Sequence, residues 1–116
     1  MQDEVVAVER AGVYEQALAL TSAIDAVIEK CEARFHLKDL LDKSATVVTL
    51  AIARAGGETL KGDRRKHYRT ARRAATDCAA ILDILARRPN CDHALLAPAR
   101  ALILALVTQL AHLAAR

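Results

Sequence analysis

One segment in the second half of the chain repeats apolar residues at alternating steps of three and four. Its members are Tyr68, Ala71, Ala75, Cys78, Leu82 and Leu85. This spacing places them along one side of an α-helix, as in the seam between packed helices. Asp63 can serve as the N-cap and Pro89 follows the last periodic residue, so the pattern predicts a helix over 63–88. Such a helix needs other helices to cover its seam.

Three further helices are predicted around it. The first, over 3–34, has a stripe formed by Ala17, Leu20, Ile24, Val27 and Cys31. A second is predicted over 38–55, with Gly56-Gly57 as its stop. A fourth is predicted over 91–115, capped by Asn90 or Asp92.

The composition agrees with helices alone. Apolar residues are 53% of the chain, but there are only 4 Gly and 2 Pro, too few for the turns of a fold made of many short strands. The chain has 116 residues, the size of one domain. The connections are short, which favours antiparallel neighbours. The sequence therefore predicts an all-α protein, an antiparallel up-down-up-down four-helix bundle that forms a single domain over 1–116.

Helices two and four are apolar on more than one side. In helix four, one stripe contains Leu95, Ala99, Leu102, Leu106 and Leu113, and another contains Leu96, Ile103, Val107 and Leu110. A bundle core uses one stripe per helix, so the second is expected to meet another copy of the chain. The alternative is a small-residue surface that solvent tolerates. We predict a homo-oligomer whose interface contains Val47, Leu50, Leu96, Ile103, Val107 and Leu110.

Charge is distributed unevenly along the chain. Residues 1–36 contain three basic and seven acidic side chains, whereas residues 64–88 contain eight basic and two acidic ones. Successive helical residues turn by about 100°. Four arginines therefore fall opposite the apolar seam of helix three, and we call them the basic stripe: Arg65, Arg69, Arg72 and Arg73. The candidate anion-binding residues are these four together with Arg64, Lys66, Arg87 and Arg88.

The basic cluster has two interpretations. It can be the ordinary solvated face of a helix. Against this, positive charge at a helix N-terminus opposes the helix dipole, so an anionic partner would offset a local cost in stability. That partner can be RNA, bound through its phosphates because stacking aromatic residues are scarce, or an acidic protein surface.

The three cysteines, Cys31, Cys78 and Cys91, form no close pair in sequence. An odd set without a recognisable framework is typical of reduced, buried thiols, although Cys91 is expected to be reactive in its turn. No secretory signal pattern opens the chain. The longest apolar stretch, 94–115, is interrupted by Pro98 and Arg100. We therefore predict a cytoplasmic protein with no membrane span.

Signals for catalysis are weak. Gly56-Gly57 is followed by Glu58 and lacks the Gly-Lys-Ser/Thr ending of a phosphate-binding loop. Cys91 and His93 have no further metal ligands at a recognisable spacing. His67 is expected to be a partly buried histidine satisfied by a neighbour. We predict no enzyme, with no catalytic residues, no metal site and no cofactor.

The order of these segments resembles a family of small bacterial bundle proteins. The resemblance is carried over about 13–114 by an apolar first helix with Tyr14, by Phe35-His36-Leu37 at the start of helix two, and by Ile52-Ala53 before Gly56-Gly57. It continues with a basic start to helix three, Tyr68, and Asp77 ahead of Ile81-Leu82. These features are similar to the 23S rRNA intervening-sequence proteins and their relatives, the accessory variability determinants of diversity-generating retroelements. The chain has Ala-Ile-Ala-Arg-Ala at 51–55 where the family more commonly has Asn-Ile-Ala-Glu-Gly.

The resemblance implies a homopentamer of four-helix bundles without known catalysis. For the retroelement branch it also implies binding to a reverse transcriptase and structured RNA through basic surfaces. Together with the basic stripe, it leads us to expect a non-enzymatic oligomeric scaffold that binds RNA or a ribonucleoprotein partner. The alternative is a protein-interaction module that docks an acidic partner.

Overall fold

A computed structural model describes the backbone of residues 2–89 and 91–115 and the side chains of the same residues from Arg10 onward. The described chain is all-helical, with four helices and no strand. They are α1 (Gln2–Lys30), α2 (Phe35–Gly57), α3 (Lys61–Ala86) and α4 (His93–Ala115). The predicted all-α class and the predicted number of helices are confirmed.

The helices pack in a ring. Along the described part of the chain, the backbone of α1 lies next to α2 and α4, and the backbone of α3 lies next to the same two helices. This arrangement is compatible with a four-helix bundle. Because each helix has two neighbours, each buries a broad apolar side. The largest fully buried side chains come from all four helices and include Leu20, Leu41, Leu82 and Ile103.

Several predicted helix ends are wrong by a few residues. α1 ends at Lys30 instead of residue 34, α2 begins at Phe35 instead of residue 38, and α3 ends at Ala86 instead of residue 88. Gly56 and Gly57 continue α2, since neither has the positive φ that would reverse the chain. The helix ends where the backbone N–H of Glu58 donates to the Ala55 carbonyl at 3.2 Å.

The predicted caps have mixed outcomes. Asp63 lies in the first turn of α3, and Leu60 occupies the N-cap position without a side-chain hydrogen bond. Asp92 is confirmed as the cap of α4, because its Oδ1 accepts the backbone N–H of Ala94 at 2.9 Å. Asn90, the other candidate cap, lies outside the described residues.

α4 is a long and strongly apolar helix. By length and composition it is the one helix among the described residues that could cross a membrane, with a mean hydropathy of 1.8, although a core helix passes the same test. The expectation of no membrane span therefore stays a prediction.

Candidate nucleic-acid interface

The basic stripe lies on the side of α3 that faces away from the core. The predicted seam of α3 is buried throughout, which confirms the orientation of this helix. Arg69, Arg72 and Arg73 are exposed, and Arg65 is partly buried. At a rise of about 1.5 Å per residue, the stripe extends roughly 12 Å along the helix.

The arginines of the stripe form no ion pair among the described side chains. The ion pairs among the described side chains of the whole bundle join Lys43 to Asp39, Arg100 to Asp83 and His67 to Glu58. None of them involves an arginine of the stripe. Asp77 follows Arg73 by four residues, yet no ion pair joins the two described side chains. The guanidinium groups of the stripe can therefore meet an external anion without breaking an internal bond.

Arg64 has a different role from its neighbours. Its Nη1 donates to the backbone carbonyls of Thr59 at 2.9 Å and Glu58 at 3.2 Å. These bonds close the connection between α2 and α3. His67 supports the same connection, with its Nε2 at 3.1 Å from Oε1 of Glu58, and this confirms a partly buried histidine satisfied by a neighbour. Part of the donor capacity of Arg64 therefore holds this connection together, and its place in the anion-binding set stays a prediction.

Tyr68 lies on the buried side of α3, near the N-terminal end of the stripe. Its ring is buried, and burial raises the pKa of the phenol, an effect that the nearby positive charges of Arg10 and Arg64 partly oppose. The phenol therefore stays neutral and adds no charge of its own to this basic region.

The predicted basic cluster falls into two parts. Lys66 is exposed near the stripe, while Arg87 and Arg88 are exposed beyond the end of α3. Arg87 occupies the C-cap position, where its backbone N–H donates to the carbonyls of Ile84 and Leu85. About 21 Å of helix, from residue 73 to residue 87, separates the two parts.

The predicted interface residues are only partly available to another copy. Val47 and Leu50 are exposed on α2. Leu96, Ile103 and Leu110 are buried in the core of the same chain, and Val107 packs partly buried against it. The assignment of those three buried leucine and isoleucine side chains to a subunit interface is corrected. α4 packs against both α1 and α3, so the core takes both of its predicted stripes.

The exposed side of α4 is made of different residues. We call it the outer face of α4 and define it by Ala97, Ala101, Leu104, Ala105 and Thr108, all of which are exposed. Arg100 is the one Lys, Arg, Asp or Glu within His93–Ala115. Its Nη1 lies 2.8 Å from Oδ1 of Asp83 on α3. The outer face of α4 is therefore uncharged.

The prediction of three reduced thiols is wrong for two of them. Cys31 and Cys91 form a disulfide with a Cα–Cα distance of 5.5 Å, and both residues are buried. Cys91 is therefore neither a reactive thiol nor a free metal ligand. Cys78 is confirmed as a free, buried thiol, and burial together with the nearby carboxylate of Asp77 raises its pKa to about 12.

The sequence interpretation included Arg88 but missed the other members of a group of side chains beside the disulfide. Glu32, Ala33, Arg34, Arg88 and Pro89 line a groove of about 520 Å³. Phe35 follows at the start of α2 with 82% of its surface exposed, more than any other large apolar side chain that the structure describes. The helix pattern placed Phe35 in the connection before α2. A prediction that α2 begins at residue 35 would have drawn attention to this ring.

The comparisons with known proteins add no assignment, because no family model, curated protein or solved structure matches the chain.

Proposed function

We propose that this protein is a non-enzymatic scaffold that binds RNA, or a ribonucleoprotein partner such as a complex of reverse transcriptase and RNA, through the basic stripe of α3. The observation that carries the proposal is the stripe itself: four arginines on one outward face without an internal ion pair among the described side chains. Arginine suits phosphate because its planar guanidinium group donates two parallel hydrogen bonds. Lys66, Arg87 and Arg88 extend the same positive surface.

The proposal includes self-association. We infer that antiparallel four-helix bundles of this chain assemble into a homo-oligomer, and the resemblance implies five copies. The exposed apolar residues Val47 and Leu50 on α2 and the uncharged outer face of α4 support this step. Assembly would repeat the basic stripe and multiply the phosphate contacts. Light scattering should give a mass several times 12.6 kDa; a strict monomer at micromolar concentration would contradict it.

The test of RNA binding is reversal of two charges in the stripe. Arg69→Glu with Arg73→Glu should weaken binding to any structured RNA by similar factors and leave the assembly intact, because contacts to phosphates carry no sequence information. The matched control is Lys30→Glu with Arg54→Glu, which changes the net charge equally at exposed positions of α1 and α2. Equal losses in both double variants would contradict a specific role for the stripe.

The alternative function is docking of an acidic protein, and the same surface favours it. In that case the wild-type protein should bind RNA weakly at physiological salt, whereas an acidic polypeptide such as polyglutamate should bind and lose affinity on reversal of Arg69 and Arg73. The two functions differ in which probe the stripe selects.

The cytoplasmic location stays a prediction, and the disulfide weakens one of its arguments. Disulfides persist in oxidising compartments and are rare in the cytosol. Alkylating the free thiols of the protein in its native cells would show whether Cys31 and Cys91 are reduced or bonded there. A cytoplasmic protein should have Cys31 and Cys91 reduced, whereas a persistent bond would place it in an oxidising compartment.

A further inference from the structure

We propose that the end of the molecule beside the Cys31–Cys91 bond holds an unpaired nucleotide of a bound RNA, with the base stacked on Phe35 and the adjoining phosphates between Arg34 and Arg88. This inference rests on the proposed function and deepens it, because it names single-stranded RNA as the ligand of one particular end. The sequence alone predicts recognition of phosphates without base stacking.

The first step is the exposure of Phe35. Its 82% exposed surface is unusual for a phenylalanine, and an aromatic face in water offers a platform on which any base can stack. Phe35 is the first residue of α2, and its position is fixed by the backbone N–H groups of Leu37 and Lys38, which donate to the carbonyl of Arg34 at 3.1 and 3.4 Å. The platform is therefore attached to an ordered helix start.

The second step is a pair of arginines, one of which precedes Phe35 in the sequence. Arg34 immediately precedes Phe35, and Arg34 and Arg88 line the same groove although they come from different connections. They meet because the end of α1 lies beside the start of α4, where Cys31 and Cys91 are joined. Cys31 lies three residues before Arg34, and Cys91 lies three residues after Arg88, so one bond fixes both segments next to each other. Glu32 is the one acidic side chain among the residues that line the groove.

The third step is continuity with the basic stripe. Arg88 lies two residues after the end of α3, the helix whose first half carries the stripe. A strand bound to the stripe by its phosphates can continue past Arg87 to the groove. Positive groove and exposed ring together are the combination that single-strand binding proteins use. An acidic peptide would satisfy the arginines but would leave the ring without a stacking partner.

The experiment uses the absence of tryptophan from the chain. Phe35→Trp introduces a single tryptophan, and titration with a ten-nucleotide oligoadenylate should quench its fluorescence through stacking. A ten-base-pair RNA duplex should bind with little quenching. Leu60→Trp is the matched control, since Leu60 is 66% exposed at the N-cap of α3, beyond the far end of α2 and the roughly 33 Å of helix from Phe35 to Gly57.

A second variant measures affinity. Phe35→Leu keeps an apolar side chain but removes the ring, so it should weaken oligoadenylate binding by about 5- to 150-fold and leave duplex binding unchanged. Because the side chain is exposed, the variant should keep its helical circular dichroism. Leu60→Ala should change neither affinity.

The outcomes separate this inference from the proposed function. If the wild type binds neither RNA, the proposed function and this inference both fail. If it binds both RNAs and loses both on reversal of Arg69 and Arg73, while Phe35→Trp shows no quenching and Phe35→Leu no loss, only this inference is overturned. Quenching by polyglutamate and not by oligoadenylate would also overturn it, in favour of an acidic peptide.

Discussion

The outer faces of α3 and α4 differ sharply, although the two helices are neighbours of similar length in one ring. α3 presents four arginines to solvent, whereas the outer face of α4 presents alanines, one threonine and one leucine. Both helices bury an apolar side in the same core. The difference therefore does not arise from packing within the chain. It supports our proposal that the two faces meet different partners, an anion at α3 and an uncharged protein surface at α4.

The largest effect is expected from placing a carboxylate on either side of α4. Ile103→Asp should unfold the protein, because it removes a fully buried side chain and buries an unpaired charge, at a cost above about 5 kcal/mol. Leu104→Asp should leave the monomer folded and disrupt self-association, since Leu104 is 51% exposed. Thermal unfolding and light scattering measure both. Similar unfolding in the two variants would contradict the assignment of Ile103 to the buried side and Leu104 to the outer face of α4.

The next effect concerns how the two helices are held. The segment before α4 is tied to the end of α1 by a disulfide that spans 60 residues, whereas α3 contains only a free thiol. Cys31→Ser should lower the free energy of unfolding by about 4 kcal/mol, because the unfolded chain gains the freedom of a long loop. Urea unfolding without reductant measures it.

Thiol counting supplies the control for that prediction. The native protein should show no reactive thiol, the unfolded and unreduced protein one, and the reduced protein three. Three thiols in the unreduced, unfolded protein would contradict the disulfide.

A smaller effect is expected on the inner side of α3 at alkaline pH. The pKa of Cys78 rises from 9.0 to about 12 on folding, so above pH 9 the unfolded state loses a proton that the native state keeps. Stability should therefore fall between pH 9 and 12, with a slope from this group of at most about 1.4 kcal/mol per pH unit. Tyr68 adds to the fall in the same direction. Cys78→Ala should make the slope shallower; an unchanged slope would refute this origin.

The smallest effect on stability is expected from the basic stripe. Arg69→Ala and Arg73→Ala should each change the free energy of unfolding by less than about 0.5 kcal/mol, since both side chains are exposed and Ala is a good helix former. A loss of several kcal/mol in urea unfolding would mean that the stripe serves the fold and would remove the contrast with α4.

The difference in charge between α3 and α4 explains why the buried side of α3 could be predicted from the sequence and that of α4 could not. On α3 the arginines mark the outside, so the buried seam from Tyr68 to Leu85 was predicted correctly. On α4, Arg100 is the one charged residue that could indicate the exposed side. The periodicity alone did not distinguish which of the two apolar stripes faces the core. The core takes both, because α4 lies between α1 and α3.

Two other features depend on tertiary structure and could not be read from spacing. Cys31 and Cys91 meet because the end of α1 lies beside the start of α4, and no local pattern records that meeting. Arg64 belongs to the basic cluster by sequence, yet it bonds to carbonyls of the connection before its own helix. Its role depends on how that connection folds, whereas the exposure of Arg69 and Arg73 follows from helical geometry alone.

The most direct test of phosphate binding by α3 is the salt dependence of RNA affinity. For one wild-type chain, the logarithm of affinity should fall with the logarithm of salt concentration with a slope of about −2.8 to −3.6, since each of four phosphate contacts contributes about 0.7–0.9. Arg69→Glu with Arg73→Glu should make the slope shallower by about 1.4 to 1.8, and the Lys30→Glu, Arg54→Glu control should leave it unchanged. Equal slopes in the wild type and the stripe variant would contradict phosphate binding by this face.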